Sequence, residues 1–307
     1  MKEILTVLLA CLLSNVQEQV RPHILGLAHV AFYVSDIAKS RAYYGDFLGY
    51  KEPFRLNGAD GSLAVAFVKI NDEQYLELFP GLDPQADRLY HISFYTDDAE
   101  AMRSYLGRQG VKVPEKVAKG RIGNLSFNVK DPDGHTVEFV QYMPDGWSMG
   151  NAGKFTGPSR VSARMRHVGI LVGNLAAADR FYGSILGFRE TWRGSSSGKV
   201  LSWVNMKVPD GDDYIEFMLY SDLPAPDRRG TPHHICLETP DLPQALRMLE
   251  ARPNRKDYQR TIEARVGTNR RRLANLFDPD GTRVELMEPT TVDGVPTPAS
   301  TAPPPSP

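Results

Sequence analysis

The chain has 307 residues, 41% of them hydrophobic, and its 36 basic side chains nearly balance its 37 acidic ones. A net charge of −1 gives no electrostatic reason to expect a nucleic-acid partner, whose binding needs a basic surface. The length suits about two domains, each able to bury its own core. No apolar run approaches the ~20 residues that cross a bilayer, and two cysteines are too few for a disulfide framework. The composition therefore predicts a globular protein without a membrane span.

The two ends differ from the rest of the chain. Residues 1–22 contain Lys2, an apolar run over 4–13 and a polar stretch, a pattern typical of a secretory signal peptide. This leader predicts an exported or periplasmic protein; the alternative is an N-terminal helix that packs on the body of a cytoplasmic one. Residues 291–307 are rich in Pro, Thr and Ser, so we expect a disordered tail that cannot bury enough surface to order itself.

A repeat organises the middle of the chain. His29-Val-Ala-Phe-Tyr-Val-Ser-Asp-Ile has a counterpart in His167-Val-Gly-Ile-Leu-Val-Gly-Asn-Leu, and Asp131-Pro-Asp-Gly has one in Asp278-Pro-Asp-Gly. A duplication explains both matches. The predicted organisation is a first domain over 23–146, a Gly- and Ser-rich linker over 147–160 and a second domain over 161–290.

Each repeat divides again into two units with the order βαβββ. The first unit has a helix from about Asp36 to Leu48, and the second has one from about Asp98 to Gln109, both with apolar residues at helical spacing. Alternating and β-branched residues mark the strands around them. The sequence thus predicts an α+β fold built from four such units.

The unit order, the two His-Val strands, the Phe/Tyr-Tyr-Gly helix ends and the two Asp-Pro-Asp-Gly turns resemble the vicinal oxygen chelate superfamily. This is the group of glyoxalase I, bleomycin resistance proteins and extradiol dioxygenases. The resemblance covers about residues 24–289 and implies two tandem domains. It is specific for the fold and unspecific for the reaction, which must be argued from the site.

Strand parity predicts which side chains face the concave side of each sheet. Val30, Phe32 and Val34 are the apolar alternates that should pack on the helix, which sends His29 and Tyr33 to the opposite face. The same reasoning applies to the first and last strand of every unit. The inward residues able to bind a metal are His29, Glu77, His91 and Glu138 in the first domain, and His167, Glu216, His234 and Glu285 in the second.

Two imidazoles and two carboxylates suit Zn, Ni, Co, Mn or Fe(II) as a divalent cofactor. The resemblance implies the same set, since glyoxalase I enzymes use His or Gln, Glu, His and Glu at these positions. Every unit donates one His and one Glu, so pairing unit 1 with unit 2 or with unit 4 produces the same ligand types. The sequence leaves that pairing open.

Further side chains are predicted to line the two sites. They are Tyr33, Tyr75, Tyr95 and Asn128 in the first domain, and Tyr214, Met218 and Asn275 in the second. His23, His135 and His233 lie off the pattern, and Cys236 either lines the second pocket or only packs there. Residues 252–272 hold eight Arg or Lys against two acidic residues, which indicates a solvated basic face or, alternatively, a funnel for anions.

Three functions remain open at this stage. The resemblance implies a glyoxalase-like lyase or isomerase, in which a metal chelates two neighbouring oxygens of the substrate and a carboxylate moves a proton. That catalytic carboxylate would be Glu77 or Glu138, and Glu216 or Glu285 in the second domain. The alternatives are an iron-dependent extradiol dioxygenase and a non-catalytic binding or resistance protein.

Two departures bear on the choice among these functions. Asn128 and Asn275 replace the Tyr that the dioxygenase pattern has three residues before Asp-Pro, which counts against ring cleavage. Tyr33 and Leu171 replace the Arg that glutathione-dependent glyoxalases carry four residues after the first His, which puts a glutathione substrate in doubt. We expect a small oxygenated organic substrate, and either a monomer or a homodimer.

Overall fold

The computed structural model describes residues 20–306. The predicted leader lies almost entirely in residues 1–19, outside the described part. Between residues 20 and 306, no helix combines the length and apolar character needed to cross a membrane.

The first domain is one eight-stranded sheet with its helices on one side. Its elements in chain order are β1 (Gly26–Val34), α1 (Ile37–Arg41), which continues as a π-helical segment (Ala42–Phe47), β2 (Lys51–Asn57), β3 (Leu63–Lys69), β4 (Tyr75–Pro80), β5 (Leu89–Tyr95), α2 (Ala99–Arg108), β6 (Ala118–Lys119), β7 (Leu125–Lys130) and β8 (Thr136–Gln141). The strand order across the sheet is β2-β3-β4-β1-β5-β8-β7-β6, with β1 and β5 antiparallel at the centre. Unit 1 therefore pairs with unit 2.

The second domain repeats this arrangement after the short helix α3 (Trp147–Gly150). Its elements are β9 (Met165–Val172), α4 (Leu175–Ala178) with a π-helical continuation (Asp179–Ile185), β10 (Arg189–Gly194), β11 (Trp203–Lys207), β12 (Tyr214–Leu219), a 3₁₀ turn (Pro226–Arg228), β13 (His234–Glu238), α5 (Leu242–Glu250), a second 3₁₀ turn (Arg255–Asp257), β14 (Ala264–Val266), β15 (Arg271–Phe277) and β16 (Arg283–Thr291). The strand order is β10-β11-β12-β9-β13-β16-β15-β14. The predicted α+β class and its four βαβββ units are confirmed.

Local sequence explains where the helices begin and end. The carboxylate of Asp36 accepts from the amides of Ala38 and Lys39, and that of Asp98 caps α2 in the same way. The first helical segment stops at Gly49, whose φ of +87° is accessible to glycine at little cost. A Cβ at Gly49 would also lie 2.2 Å from the carbonyl oxygen of Ser159, so close approach of the linker requires glycine there.

The helical sides of the two sheets share one apolar core. Phe94 of the first domain packs edge to face on Phe188 of the second, with ring centroids 5.2 Å apart. Two reciprocal hydrogen bonds cross this interface. The Tyr44 hydroxyl donates to Asp278 over 3.1 Å, and the Tyr182 hydroxyl donates to Asp131 over 3.0 Å. Each domain thus binds the Asp-Pro-Asp-Gly turn of the other.

The linker packs against the first domain along part of its length. The buried ammonium of Lys69 donates to the carbonyl oxygens of Asn151 over 2.5 Å and Lys154 over 2.9 Å. It also pairs with Asp72 at 2.6 Å. These contacts bring the linker beside β3 and the concave side of the first sheet.

The C-terminal segment differs from the expectation of disorder. The amide of Ser300 donates to the carbonyl of Arg193 on the edge strand β10, and the amide of Leu201 donates to the carbonyl of Pro303. An edge strand presents unpaired backbone groups, so a segment with few apolar side chains can still find partners there. Residues 292–306 therefore extend the second domain at its open edge.

Candidate metal centres

Four neighbouring strands bring the predicted ligands of the first domain together. His29 lies on β1, Glu77 on β4, His91 on β5 and Glu138 on β8, and these strands are consecutive in the sheet. The apolar alternates on the other face are buried in the core, as strand parity requires. We call this group the first centre.

The nitrogen and oxygen atoms of the first centre converge on one point. The Nε2 atoms of His29 and His91 are 2.9 Å apart, and His29 Nε2 lies 2.8 Å from Glu138 Oε2. Glu77 Oε1 and Oε2 lie 3.5 Å from His29 Nε2 and His91 Nε2, respectively. His91 Nε2 and Glu138 Oε2 are 4.0 Å apart. The donor atoms of His29, Glu77 and His91 all lie within 4.8 Å of one another.

These spacings fit a bound divalent ion. Nitrogen and oxygen ligands lie about 2.0–2.2 Å from such an ion, so two of them are separated by about 3 Å at right angles and about 4.2 Å across it. The observed separations of 2.8 to 4.0 Å fall in this range. His29, Glu77 and His91 are also buried, so a bound cation would offset the cost of keeping carboxylates out of water.

The electrostatics of the first centre are strongly perturbed. Burial alone would lower the pKa of His29, but Glu77 and Glu138 outweigh it and raise this pKa to about 9. Burial lowers the pKa of His91 to about 4 and raises that of Glu77 to about 7. Burial would also raise the pKa of Glu138, but His29 holds it well below its usual range. Such shifts in one cluster are typical of functional sites.

A cavity of about 220 Å³ opens beside the first centre. Its wall is largely apolar and aromatic, with a few polar groups. The residues around it, besides the ligands, are Leu56, Val65, Phe67, Tyr75, Phe79, Gly120, Arg121, Ile122, Asn124, Ser126, Val140, Tyr142 and Ser148.

The predicted lining residues of the first domain take different places. Tyr75 lines the cavity, and burial raises the pKa of its hydroxyl to about 12. Tyr33 contacts the cavity residue Phe79 with ring centroids 6.1 Å apart, and Tyr95 stacks on the cavity residue Tyr142 at 4.9 Å. Asn128 lies opposite Glu138 on the neighbouring strand but is exposed and outside the cavity wall.

Several cavity residues were not predicted from the sequence. Ser126 shares a strand face with Asn128, and Phe67 pairs with Glu77 in the sheet, so strand parity would have identified both. Ser148 belongs to the linker and reaches the cavity through a hydrogen bond from Asn124 over 3.0 Å. Arg121 lies in the turn before β7. No spacing rule in the sequence identifies these last two.

The second centre consists of His167, Glu216, His234 and Glu285 at equivalent positions. The Nε2 atoms of the two histidines are 3.1 Å apart. His234 Nε2 lies 3.4 Å from Glu216 Oε2 and 3.7 Å from Glu285 Oε2. Burial lowers the pKa of both histidines well below the usual range and raises that of Glu285 to about 7. The donor atoms of His167, His234 and Glu285 all lie within 4.8 Å of one another, close enough to share one ion.

The surroundings of the second centre are different. Its cavity is only about 70 Å³ and is lined by Trp192, Trp203, Arg265, Gly267, Thr268, Asn269, Leu273 and Arg283 together with the two glutamates. Tyr214 stacks on His167 with ring centroids 4.5 Å apart and lines a separate cavity of about 260 Å³. Met218 lies opposite Trp203, and Asn275 lies opposite Glu285 with its Oδ1 buried and unpartnered.

Of the remaining candidates, the three histidines lie outside both centres, whereas Cys236 lies beside the second, opposite His167 and Glu285 in the sheet. His233 and His135 contact each other at the domain interface with ring centroids 5.1 Å apart, and His23 pairs with Asp97 on the surface. Cys236 is buried in a small apolar cluster with Leu273 and Met287.

The basic segment 252–272 forms neither a uniform solvated face nor a funnel. Arg255, Arg270 and Arg272 pair with acidic side chains, whereas Arg265 lines the second cavity and Arg271 lines the neighbouring one. Its basic residues therefore divide between surface ion pairs and cavity walls.

Fold and sites together define a duplicated βαβββ protein with two clustered His/Glu centres. The sequence profile of the Glyoxalase/Bleomycin resistance protein/Dioxygenase superfamily matches residues 26–139 and 164–286. The chain belongs to this family, as its motifs predicted.

Individual relatives come from more than one branch of the family. A stretch of the chain is 32% identical over 124 positions to the lactoylglutathione lyase of Neisseria meningitidis, and the match covers 38% of this chain and 89% of that protein. The Mn(II)-bound glyoxalase of Novosphingobium aromaticivorans has a similar fold, with a TM-score of 0.65, 17% identity and coverage of 87% of this chain and 83% of that one. A variant of homoprotocatechuate 2,3-dioxygenase from Brevibacterium fuscum also has a TM-score of 0.65, with 19% identity and coverage of 88% and 72%.

Proposed function

We propose that the chain is a divalent-metal-dependent lyase or isomerase of the glyoxalase type, with its catalytic centre in the first domain. The observation that carries this proposal is that each of two carboxylates, Glu77 and Glu138, approaches both imidazoles to within 4.0 Å beside a cavity. A second carboxylate distinguishes this set from the His-His-Glu site of extradiol dioxygenases, which leave the position of Glu77 out of the ligand set. The lactoylglutathione lyase similarity supports the same assignment.

The four ligands would hold the ion, which when bound would supply a Lewis acid for two adjacent oxygens of the substrate. The protein supplies the remaining chemistry. A carboxylate of Glu77 or Glu138 is placed to take a proton from the carbon next to the polarised group and to return it to the neighbouring carbon. Glu77 is buried and Glu138 is only 13% exposed, so water competes little for that proton.

The cavity supports a substrate smaller than a glutathione adduct. Its volume of about 220 Å³ lies below the 300–1,000 Å³ typical of sites for drug-sized ligands. Phe67 and Phe79 provide an apolar wall for the carbon skeleton, and Arg121 and Asn124 offer polar contacts at the other side. A compact 2-hydroxy carbonyl or 2-oxoaldehyde adduct with one apolar substituent matches this lining.

The proposal is tested by proton exchange. The full-length protein is loaded separately with Mn, Fe, Zn, Ni and Co and incubated in D₂O with a panel of 2-hydroxy ketones and thiol adducts of 2-oxoaldehydes. NMR then measures deuterium incorporation at the carbon next to the carbonyl. The expected result is metal-dependent exchange that falls about 10²- to 10⁴-fold in the Glu77→Gln/Glu138→Gln variant.

A matched control and an oxygen assay complete the test. The Glu216→Gln/Glu285→Gln variant is expected to keep most of the exchange activity, because it alters only the second centre. Oxygen uptake with catechols under air and no exchange under nitrogen would instead establish ring cleavage. Tight binding of a panel compound with neither reaction would indicate a binding protein.

A further inference from the structure

When the two domains are aligned by the pairing of their strands, the second centre has a different residue from the first at two neighbouring positions. Asn128 faces Glu138 and Asn275 faces Glu285, which aligns β7 with β15. In this alignment Leu273 corresponds to Ser126. The strand partner of Leu273 is Arg265, whereas the strand partner of Ser126 is Ala118. The two Asp-Pro-Asp-Gly turns likewise place Arg283 where the first domain has Thr136. The second centre therefore has two guanidinium groups that the first lacks.

Arg283 contacts a predicted ligand directly. Its Nη2 lies 2.7 Å from Nδ1 of His234, and the two residues are register partners on adjacent strands. The imidazole of His234 reaches this place because its partner on β9 is Gly169; a Cβ there would lie 1.9 Å from Cε1 of His234. In the first centre, His91 has Ala31 as the corresponding partner.

This contact opposes the use of His234 as a ligand. A guanidinium can only donate, so its hydrogen bond to Nδ1 requires the imidazole proton to be on Nε2. A metal needs the lone pair of that same Nε2, with Nδ1 donating outward, here to the carbonyl oxygen of Pro232 at 2.8 Å. Arg283 and a metal therefore require different tautomers of His234.

The charges of the two cavities lead to the same conclusion. Arg265 and Arg283 line the second cavity together with Glu216 and Glu285, so two positive groups balance two carboxylates there. Among the residues that the structure describes, Arg121 is the only Arg or Lys that lines the first cavity, where two carboxylates are also present. The first centre therefore has one arginine to oppose a divalent ion, whereas at the second such an ion meets two like charges.

We propose that Arg265 and Arg283 act as built-in cations that keep the second centre free of divalent metal, so that the chain binds one ion, at the first centre. The proposal concerns metal content and holds whichever reaction the first centre catalyses. In this proposal the second centre is a cluster in which the charges of two guanidiniums oppose those of two carboxylates.

The test exchanges these residues between the domains. Full-length variants are stripped, reloaded with Mn or Zn, freed of excess ion and analysed by mass spectrometry for metal per chain. We expect one ion in the wild type, none in His29→Ala/His91→Ala and one in His167→Ala/His234→Ala. Arg265→Ala/Arg283→Thr, which installs the residues of the first domain, should bind two ions, with affinity at the second centre raised at least about 100-fold.

Two further variants keep the result interpretable. Adding His167→Ala/His234→Ala to Arg265→Ala/Arg283→Thr should return the content to one ion, which assigns the gained ion to the second centre. The reverse exchange, Ala118→Arg/Thr136→Arg, should lower metal binding at the first centre, with circular dichroism confirming its fold. Two ions in the wild type, or a folded Arg265→Ala/Arg283→Thr variant that still binds one, would overturn the proposal.

Discussion

The first and second centres have the same four ligand types on equivalent strands, yet their surroundings differ in size and charge. The first opens into a cavity of about 220 Å³ with aromatic walls, and the second into about 70 Å³ with two arginines. The comparison teaches that strand parity sets the position of a ligand, whereas its neighbours on the same sheet face set the size and charge of the space around it. Four predictions test how far the two halves differ.

The largest expected effect separates the centres by activity. His29→Ala/His91→Ala removes both imidazoles of the first centre, so metal-dependent exchange should fall by at least about 10³-fold. His167→Ala/His234→Ala should leave the rate within about threefold, because the first centre is intact. The measurement is deuterium incorporation by NMR. Equal losses in both variants would show that the two halves work together.

The second prediction concerns pH and the turn aspartate of the second domain. Burial raises the pKa of Asp278 to about 6, above its value near 3.9 in the unfolded chain. Well below pH 4 the carboxyl is protonated in both states; as the pH rises through 4 towards 6, the unfolded chain ionises first. The free energy of unfolding should therefore fall by about 3 kcal/mol across this window.

Denaturant titrations at pH 4, 5, 6 and 7 measure this decrease. Asp278→Asn carries no titrating group and should lack this component, so the difference between variant and wild type isolates it. A difference that is constant with pH would contradict the assignment.

The third prediction compares the two crossing hydrogen bonds between the domains. Tyr44→Phe and Tyr182→Phe each remove a buried hydroxyl that donates to an aspartate, at 3.1 and 3.0 Å. Each should lower the free energy of unfolding by about 1.5–3 kcal/mol, since the bond has a carboxylate acceptor. Thermal and denaturant unfolding report the values. A much smaller effect at one tyrosine would show that the two hydrogen bonds do not stabilise the interface equally.

The smallest effect is expected at the C-terminal segment, which contacts the second domain. A stop codon after Pro296 removes the backbone bonds of Ser300 and Pro303 to the region of β10. The free energy of unfolding should fall by about 1–2 kcal/mol, with unchanged exchange activity at the first centre. A marked loss of activity would indicate communication between the segment and the first centre.

Much of the fold and the centres follows from the sequence, because alternation and helical spacing are local signals. The apolar alternates around His29 and His91 predict the concave face, and both domains obey the same rule. The pairing of units did not follow, since every unit offers one His and one Glu. Ser148 was missed because it enters the cavity from a linker, which no periodicity describes. Arg283 was missed because its effect depends on the residue across the strand.

The crossing of Tyr44 and Tyr182 onto the opposite domains has a consequence for the history of the chain. Because each copy offers an aspartate to a buried tyrosine of the other, deletion of either repeat would leave the survivor with a tyrosine hydroxyl that lacks its acceptor and with an exposed apolar face. The duplication then became difficult to reverse by single events. Later substitutions could accumulate most freely on the concave faces, where the copies do not meet, and that is where the two centres have diverged.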